Sequence, residues 1–253
     1  MRILNAIIIA FSTYSRLPMP QVEWSDENRR FSLCFFPLVG LVIGAALGLW
    51  LGVCKWLHFS PLLQGAVGAL IPLLISGGIH MDGFMDTLDA LASWQPMEKK
   101  LEILKDSRVG AFAVIGCAGY LLLSCALISE ASARDAAALG CAFIASRAIS
   151  AYLSVRLRPA KREGMLRSVS QNAPLRPLLL GGGAFIALCL IVWLALSPLR
   201  ALLMCVAMAL IVLYYRHMAY WQFGGVTGDL AGWFSQMCEL CLLAAWMIGG
   251  KLL

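Results

Sequence analysis

Charge is what this sequence has least of. Only 13% of its 253 residues are charged, 60% are hydrophobic, and the mean hydropathy is +0.80, far outside the composition of soluble globular domains. That excludes a water-soluble enzyme and leaves a polytopic membrane protein. The charge present sums to +6. In so apolar a chain it marks loops on one side of a bilayer and anionic headgroups, not a nucleic-acid partner. A metal-binding or disulfide framework is also missing. The nine cysteines lie almost entirely inside apolar runs, and the close pair Cys238 and Cys241 has no second pair or histidine beside it, so small apolar packing explains them and no zinc site follows. No small-x-small cleavage site follows the apolar N-terminus, so residues 1 to 15 are expected to form an interfacial helix, not a signal peptide.

What the chain has instead is a series of long apolar runs. Crossing a bilayer takes about 20 apolar residues. Spans are expected over 31 to 57, 61 to 75, 110 to 129, 134 to 155, 177 to 196, 199 to 215 and 230 to 249. This is an all-α, polytopic membrane helical bundle, a single membrane-embedded domain of about seven spans plus the N-terminal interfacial helix. Gly40, Gly44 and Gly48 form a small-xxx-small seam in the first span, suited to close helix packing. With that topology, Arg16, Arg29, Arg30, Lys99, Lys100, Lys105, Arg108, Arg156, Arg158, Lys161, Arg162, Arg167, Arg176 and Arg216 fall on one side. Lys55, Arg134, Arg200 and Lys251 fall on the other. The positive-inside rule makes the first side cytoplasmic.

The stretch from Ser76 to Arg108 lies on that side. Its Asp82, Asp86 and Asp89 stand at i, i+4 and i+7, within about 60° of one another on a helix. Like charges so placed repel. A cation pathway, a solvated helix end, or a metal site for a phosphorylated substrate would each account for them. Magnesium suits the last, because it takes one or two protein carboxylates and completes its shell with waters and phosphates. Gly83, within the stripe, would let a ligand approach the backbone closely. His80 precedes Asp82 by two residues and would point about 160° away in a continuous helix; it joins the site only if the helix begins after it. Beyond the stripe, Lys105 and Arg108 offer a point charge and a planar fork for phosphate, with Asp106 as a further ligand or an orienting group.

A second glycine-led segment, Gly224-Gly225-Val226-Thr227-Gly228-Asp229, repeats the form of Gly77-Gly78-Ile79-His80-Met81-Asp82. The two read as halves of one site, with helix capping as the structural alternative for Asp229. Arg147 and Glu239 lie within spans and are functional candidates by default, simplest to satisfy by pairing with each other.

In order along the chain, GGIHMDGFMDTLD, KDSRVGAFAV, KREGML and GGVTGDLAG followed by Glu239 resemble the cobalamin synthase family, the adenosylcobinamide-GDP ribazoletransferases. The resemblance spans almost the whole chain; one departure is Ala90 after Asp89, where the family usually has glycine. It implies transfer of the cobinamide phosphoryl moiety of adenosylcobinamide-GDP to α-ribazole or its 5'-phosphate, with release of GMP and with Mg2+ as cofactor. It also implies a multi-pass enzyme of the bacterial inner membrane with its site facing the cytoplasm, a lipid bilayer as partner, no nucleic acid, and room for a homo-oligomer. On this reading Asp82, Asp86, Asp229 and further Asp89 and Asp106 are metal ligands. Asp89 is the candidate base with His80 as the alternative, and Lys105 and Arg108 bind the pyrophosphate. Arg147, Lys161, Arg162 and Thr227 are substrate-binding candidates. The rival readings are a CDP-alcohol phosphotransferase, a prenyltransferase, or a cation-coupled transporter. The first lacks its Ala-Arg pair after Asp82-Gly83, and the last would place its site near the midplane.

Overall fold

The computed structural model describes residues 2–160, 170 and 173–252. Eleven helices and no strand occur among them; the nearest thing to a sheet is one isolated parallel bridge between Pro159 and Val226. An apolar N-terminal helix, α1 (Arg2–Tyr14), and a single turn, α2 (Asp26–Arg29), lead through a 3-10 turn (Ser32–Phe35) into α3 (Phe36–Leu57). There follow α4 (Pro61–Ser76), α5 (Ile79–Ala92), the short α6 (Met97–Ile103), α7 (Ala111–Ser129), α8 (Ala136–Arg156), α9 (Leu175–Leu196), α10 (Pro198–Phe223) and α11 (Gly228–Leu252). Several ends follow from local sequence. Ser60 and Ser197 cap α4 and α10 with their side chains, each followed by proline as the first helical residue, where its missing N–H costs nothing.

Six helices are long and apolar enough to cross a membrane: α3 with its leading turn, α7, α8, α9, α10 and α11. The seventh crossing differs from the expected straight span. At 16 residues, α4 reaches only about 24 Å, short of the roughly 30 Å hydrocarbon core. It is followed by α5, bent 99° away from it, so the pair forms a broken span or a re-entrant hairpin in place of one straight helix. Gly77 (φ 68°) and Gly78 (φ 80°) make the bend, two consecutive left-handed residues that a side chain would strain. At the other margin, α10 does not stop at Tyr215 as the hydropathy suggests but continues to Phe223.

At the centre is α8, buried on nearly every side, including Leu139, Phe143, Ala145 and Ser150; a helix apolar all round belongs inside. It packs on α3, α9 and α11. The expected glycine seam carries the α3 contact: a Cβ on Gly44 would lie 2.6 Å from the Gly140 Cα, whereas one on Gly48 would meet Ala136 at an ordinary 3.5 Å. The outer helices α7, α9 and α10 present Leu122, Leu180, Ile191, Leu210 and Leu213 outward. In a soluble protein that would be a liability, but here it is the lipid-facing surface of a multi-pass membrane protein.

Candidate active site

The stripe helix α5 is wedged between α7 and α11. Along α7 it runs antiparallel: Phe84 packs at a tilt of 56° on Tyr120 with centroids 5.5 Å apart, Leu88 sits against Gly116, and Asp89 reaches the start of α7. Along α11 it is antiparallel too, with the His80 backbone against Gly232 and Gly83 against Asp229. A Cβ on Gly83 would lie 2.7 Å from both the Asp229 Cα and its carbonyl oxygen. The close approach expected of a ligand at Gly83 is therefore made by the protein itself. The two glycine-led segments touch, and that contact brings Asp229 to the carboxylate stripe.

Charge is distributed unevenly within the cluster. Asp82 is exposed, while Asp86, Asp89 and Asp229 are half-buried. Asp86 feels the negative charge of Asp82, Asp229 and Asp89, in that order. Two helix N-termini, those of α7 and α11, open onto this group, and their unpaired N–H groups favour anions. The start of α7 is satisfied directly: Asp89 Oδ2 accepts from the Gly110 N–H at 2.6 Å and Oδ1 from the Ala113 N–H at 2.8 Å. Gly110, with no side chain, cannot cap its own helix, so Asp89 caps it from another one. Beside the roles expected of it as base and metal ligand, Asp89 therefore has a structural one, with one lone pair of each oxygen engaged by α7. The contact also ties the loop carrying Lys105 and Arg108 to the end of the stripe.

Other expected site residues land as follows. Lys105 is exposed; its backbone N–H donates to the Glu102 carbonyl at 2.9 Å, and its ammonium has no hydrogen bond or ion pair among the described residues. Arg108 is exposed and forks onto Asp106, Nη2 to Oδ2 at 2.6 Å and Nε to Oδ1 at 3.0 Å. That hydrogen bonding holds the pKa of the Asp106 carboxyl well below the usual carboxylate value, at about 2, and gives Asp106 the orienting role that was the alternative to metal ligation. Thr227 accepts from the Leu230 N–H at 3.2 Å and lies 3.4 Å from Asp229 Oδ2; it caps α11. His80 falls inside α5, since the helix begins at Ile79. Its ring is buried and lies 5.4 Å from Phe36 and 6.3 Å from Tyr14, facing α3 and α1 instead of the stripe, as the continuous helix predicts. Arg147 is not available to substrate. It is 1% exposed, and its Nη1 donates to Glu239 Oε1 at 2.6 Å, the pairing expected on sequence grounds. Lys161 and Arg162, with Arg167, lie outside the described residues.

Some contributors had no local signal. The Arg16 N–H donates to the Ile75 carbonyl at 2.8 Å and its side chain lies over Gly77, so the connection after α1 is clamped on the bend. Lys100 is buried, its ammonium bonded to Gln222 at the end of α10. Arg158 and Ala160 clasp Val226 through paired backbone hydrogen bonds of 2.9 Å, and Arg158 Nη2 reaches the Gly224 carbonyl at 3.0 Å. Basic residues that sequence counts only as membrane-side markers thus brace the loops around the aspartates.

Among the described residues no three of His, Cys, Asp and Glu converge as a metal cage. Magnesium does not need one. Asp82 and Asp86, one helical turn apart with Asp229 opposite, form the kind of sparse, solvent-facing oxygen donor set that such an ion takes together with substrate phosphates.

The sequence profile of the cobalamin-5-phosphate synthase family matches residues 6–247. This chain belongs to that family. Relatives named adenosylcobinamide-GDP ribazoletransferase agree with it end to end. The protein of Lachnoclostridium phytofermentans is 39% identical over 95% of this chain and 92% of its own. That of Clostridium perfringens is 31% identical over 93% and 94%, and that of Desulfitobacterium hafniense is 31% identical over 95% of both. No solved structure matches the chain. Family membership covers both glycine-led segments and the loop between α6 and α7, so the residues that meet in the structure are all inside the matched region.

Proposed function

We propose that this protein transfers the cobinamide phosphoryl group of adenosylcobinamide-GDP to a ribose hydroxyl of α-ribazole or its 5'-phosphate. A new O–P bond forms, the anhydride P–O bond breaks, and GMP leaves, closing the nucleotide loop of the corrinoid. The observation that carries the reading is the contact of Gly83 with Asp229, which joins carboxylates of α5 and α11 beside a loop of free cationic character, in a chain of this family. Phosphoryl transfer needs charge neutralisation and alignment more than covalent chemistry.

In this scheme Asp82 and Asp86 hold Mg2+. When bound, the ion would offset charge developing on the phosphoryl oxygens. Lys105 and Arg108 take the pyrophosphate, Arg108 exchanging its Asp106 partner for a phosphate of matching fork geometry. The ribose proton passes to a carboxylate of the same cluster, Asp89 at the end of the stripe, and Asp229 completes the oxygen donor set opposite Asp82 and Asp86. The site faces the cytoplasm, because the bundle end that bears it carries Arg29, Arg30, Lys105, Arg108, Arg156 and Arg158.

The test is direct. Purified protein with adenosylcobinamide-GDP, α-ribazole and Mg2+ is expected to yield cobalamin and GMP, and chelation is expected to stop it. Asp82→Ala and Asp86→Ala are expected to lower turnover at least 100-fold while remaining folded. Near-normal turnover of either at saturating Mg2+ would remove the metal assignment.

A further inference from the structure

The Arg147–Glu239 pair lies far from any exchange with water and does not touch the reacting groups. Arg147 Nη1 donates to Glu239 Oε1 at 2.6 Å and to the Phe143 carbonyl at 3.0 Å, and lies 3.2 Å from Ser146 Oγ. Both side chains are 1% exposed. Arg147 Nε and Glu239 Oε2 nevertheless find no hydrogen-bond partner among the described residues. A buried ion pair with unsatisfied atoms is a poor source of stability, since desolvation offsets its attraction unless every remaining polar atom is bonded.

What the pair does fix is axial position. Apolar helices in lipid gain little from one sliding register over another, because a leucine is as well solvated by acyl chains as by a neighbouring helix; directional polar contacts select the register. This one ties α8 to α11. The guanidinium also lies 5.9 Å over the Phe36 ring of α3, which in turn lies 4.4 Å from Tyr14 of α1 and 5.4 Å from His80 of α5. On α11 itself, Glu239 is ten residues from Asp229, about 15 Å along the axis. On α5, His80 is one turn from Gly83, the residue in contact with Asp229.

We infer that Arg147 and Glu239 are positioning residues, a register pin that sets the height of Asp229 on α11 against Asp82 and Asp86 on α5. The inference rests on the proposed reading of the site. Displacing a reacting group by about 1 Å is enough to cost on the order of 100-fold in rate.

The experiment replaces the pair by apolar groups of similar volume, Arg147→Met together with Glu239→Leu, and assays the full-length protein in detergent with adenosylcobinamide-GDP, α-ribazole and Mg2+. The double variant is expected to keep its thermal midpoint within a few degrees and its KM for the cobinamide substrate within about twofold, while kcat falls about 10- to 100-fold. Trp246→Phe, which removes the bond from Nε1 to Asp135 Oδ1 at the far end of the same helix pair, is expected to leave kcat unchanged. Wild-type kcat in the double variant overturns the inference. So does failure of the double variant to fold, which would make the pair a stability element, and so does an equal loss in Trp246→Phe, which would show that any loosened contact between the two helices suffices. Inactivity of the unmodified protein would strike the proposed reaction itself, not the pin.

Discussion

At the scale of single residues, Gly83 shows how one missing side chain organises the chemistry. Its hydrogen sits where a methyl would lie 2.7 Å from the Asp229 backbone, and backbone on both sides cannot swing away as a flexible side chain would. Gly83→Ala is therefore expected to force α5 and α11 apart by several tenths of an ångström. The cost should be about 1–3 kcal/mol of stability, typical of overpacking, and kcat should fall at least tenfold with little change in KM. Thermal melts and steady-state kinetics on the same preparation check this. A variant with unaltered kcat would show that the separation of Asp229 from the stripe does not matter. Arg108 makes the complementary case. Its fork is held by Asp106, a partner only two residues away.

At the scale of elements, the decisive feature is that α7 borrows its cap. Gly110 contributes no side chain, and Asp89 on α5 accepts from the two amides that would otherwise be unpaired. Loss of such a cap typically costs about 1 kcal/mol. Asp89→Ala is expected to destabilise by roughly 1–2 kcal/mol and to raise KM for adenosylcobinamide-GDP severalfold, because the loop bearing Lys105 and Arg108 loses its anchor, while kcat falls with the loss of the proposed base. Asp89→Asn, which keeps one acceptor oxygen, is expected to fall between the two in stability. If Asp89→Ala instead lowered kcat with stability and KM untouched, the capping account would fail, and an unaltered kcat would remove Asp89 as the base. The broken α4–α5 crossing belongs to the same scale: two left-handed glycines, clamped by Arg16, turn the helix so that its second limb lies between α7 and α11.

At the scale of the whole molecule, the two ends of the bundle treat their charges differently. The end away from the site pairs Lys251 with Glu130 at 2.7 Å and sets Arg200 3.6 Å from Asp135. The site end pairs Arg108 with Asp106 and Lys99 with Glu102, but it also leaves Lys105 exposed and holds Arg158 against the Gly224 carbonyl and the Tyr220 ring. By the positive-inside rule, the excess of positive charge on that end predicts that it faces the cytoplasm. A phosphatase reporter that is active only outside the cytoplasm is expected to be silent when fused after Ser107 and active when fused after Ser197. The reverse pattern would put the site on the wrong side for a guanine nucleotide substrate.

Much of this was legible in the chain alone, for a physical reason. Bilayer thickness dictates apolar run length, so the number of crossings, the helical class and the side bearing the cations are one-dimensional properties. The i, i+4, i+7 aspartates are likewise written by helix periodicity, and the Arg147–Glu239 pairing by the cost of lone charges in lipid. Tertiary structure decided what those aspartates do. Asp89 looks the same as Asp82 in sequence, and only the approach of α7 turns it into a cap. Asp229 joins the stripe because α5 is bent at Gly77–Gly78 and pressed onto α11. Such contacts depend on which helices become neighbours, which no local pattern encodes.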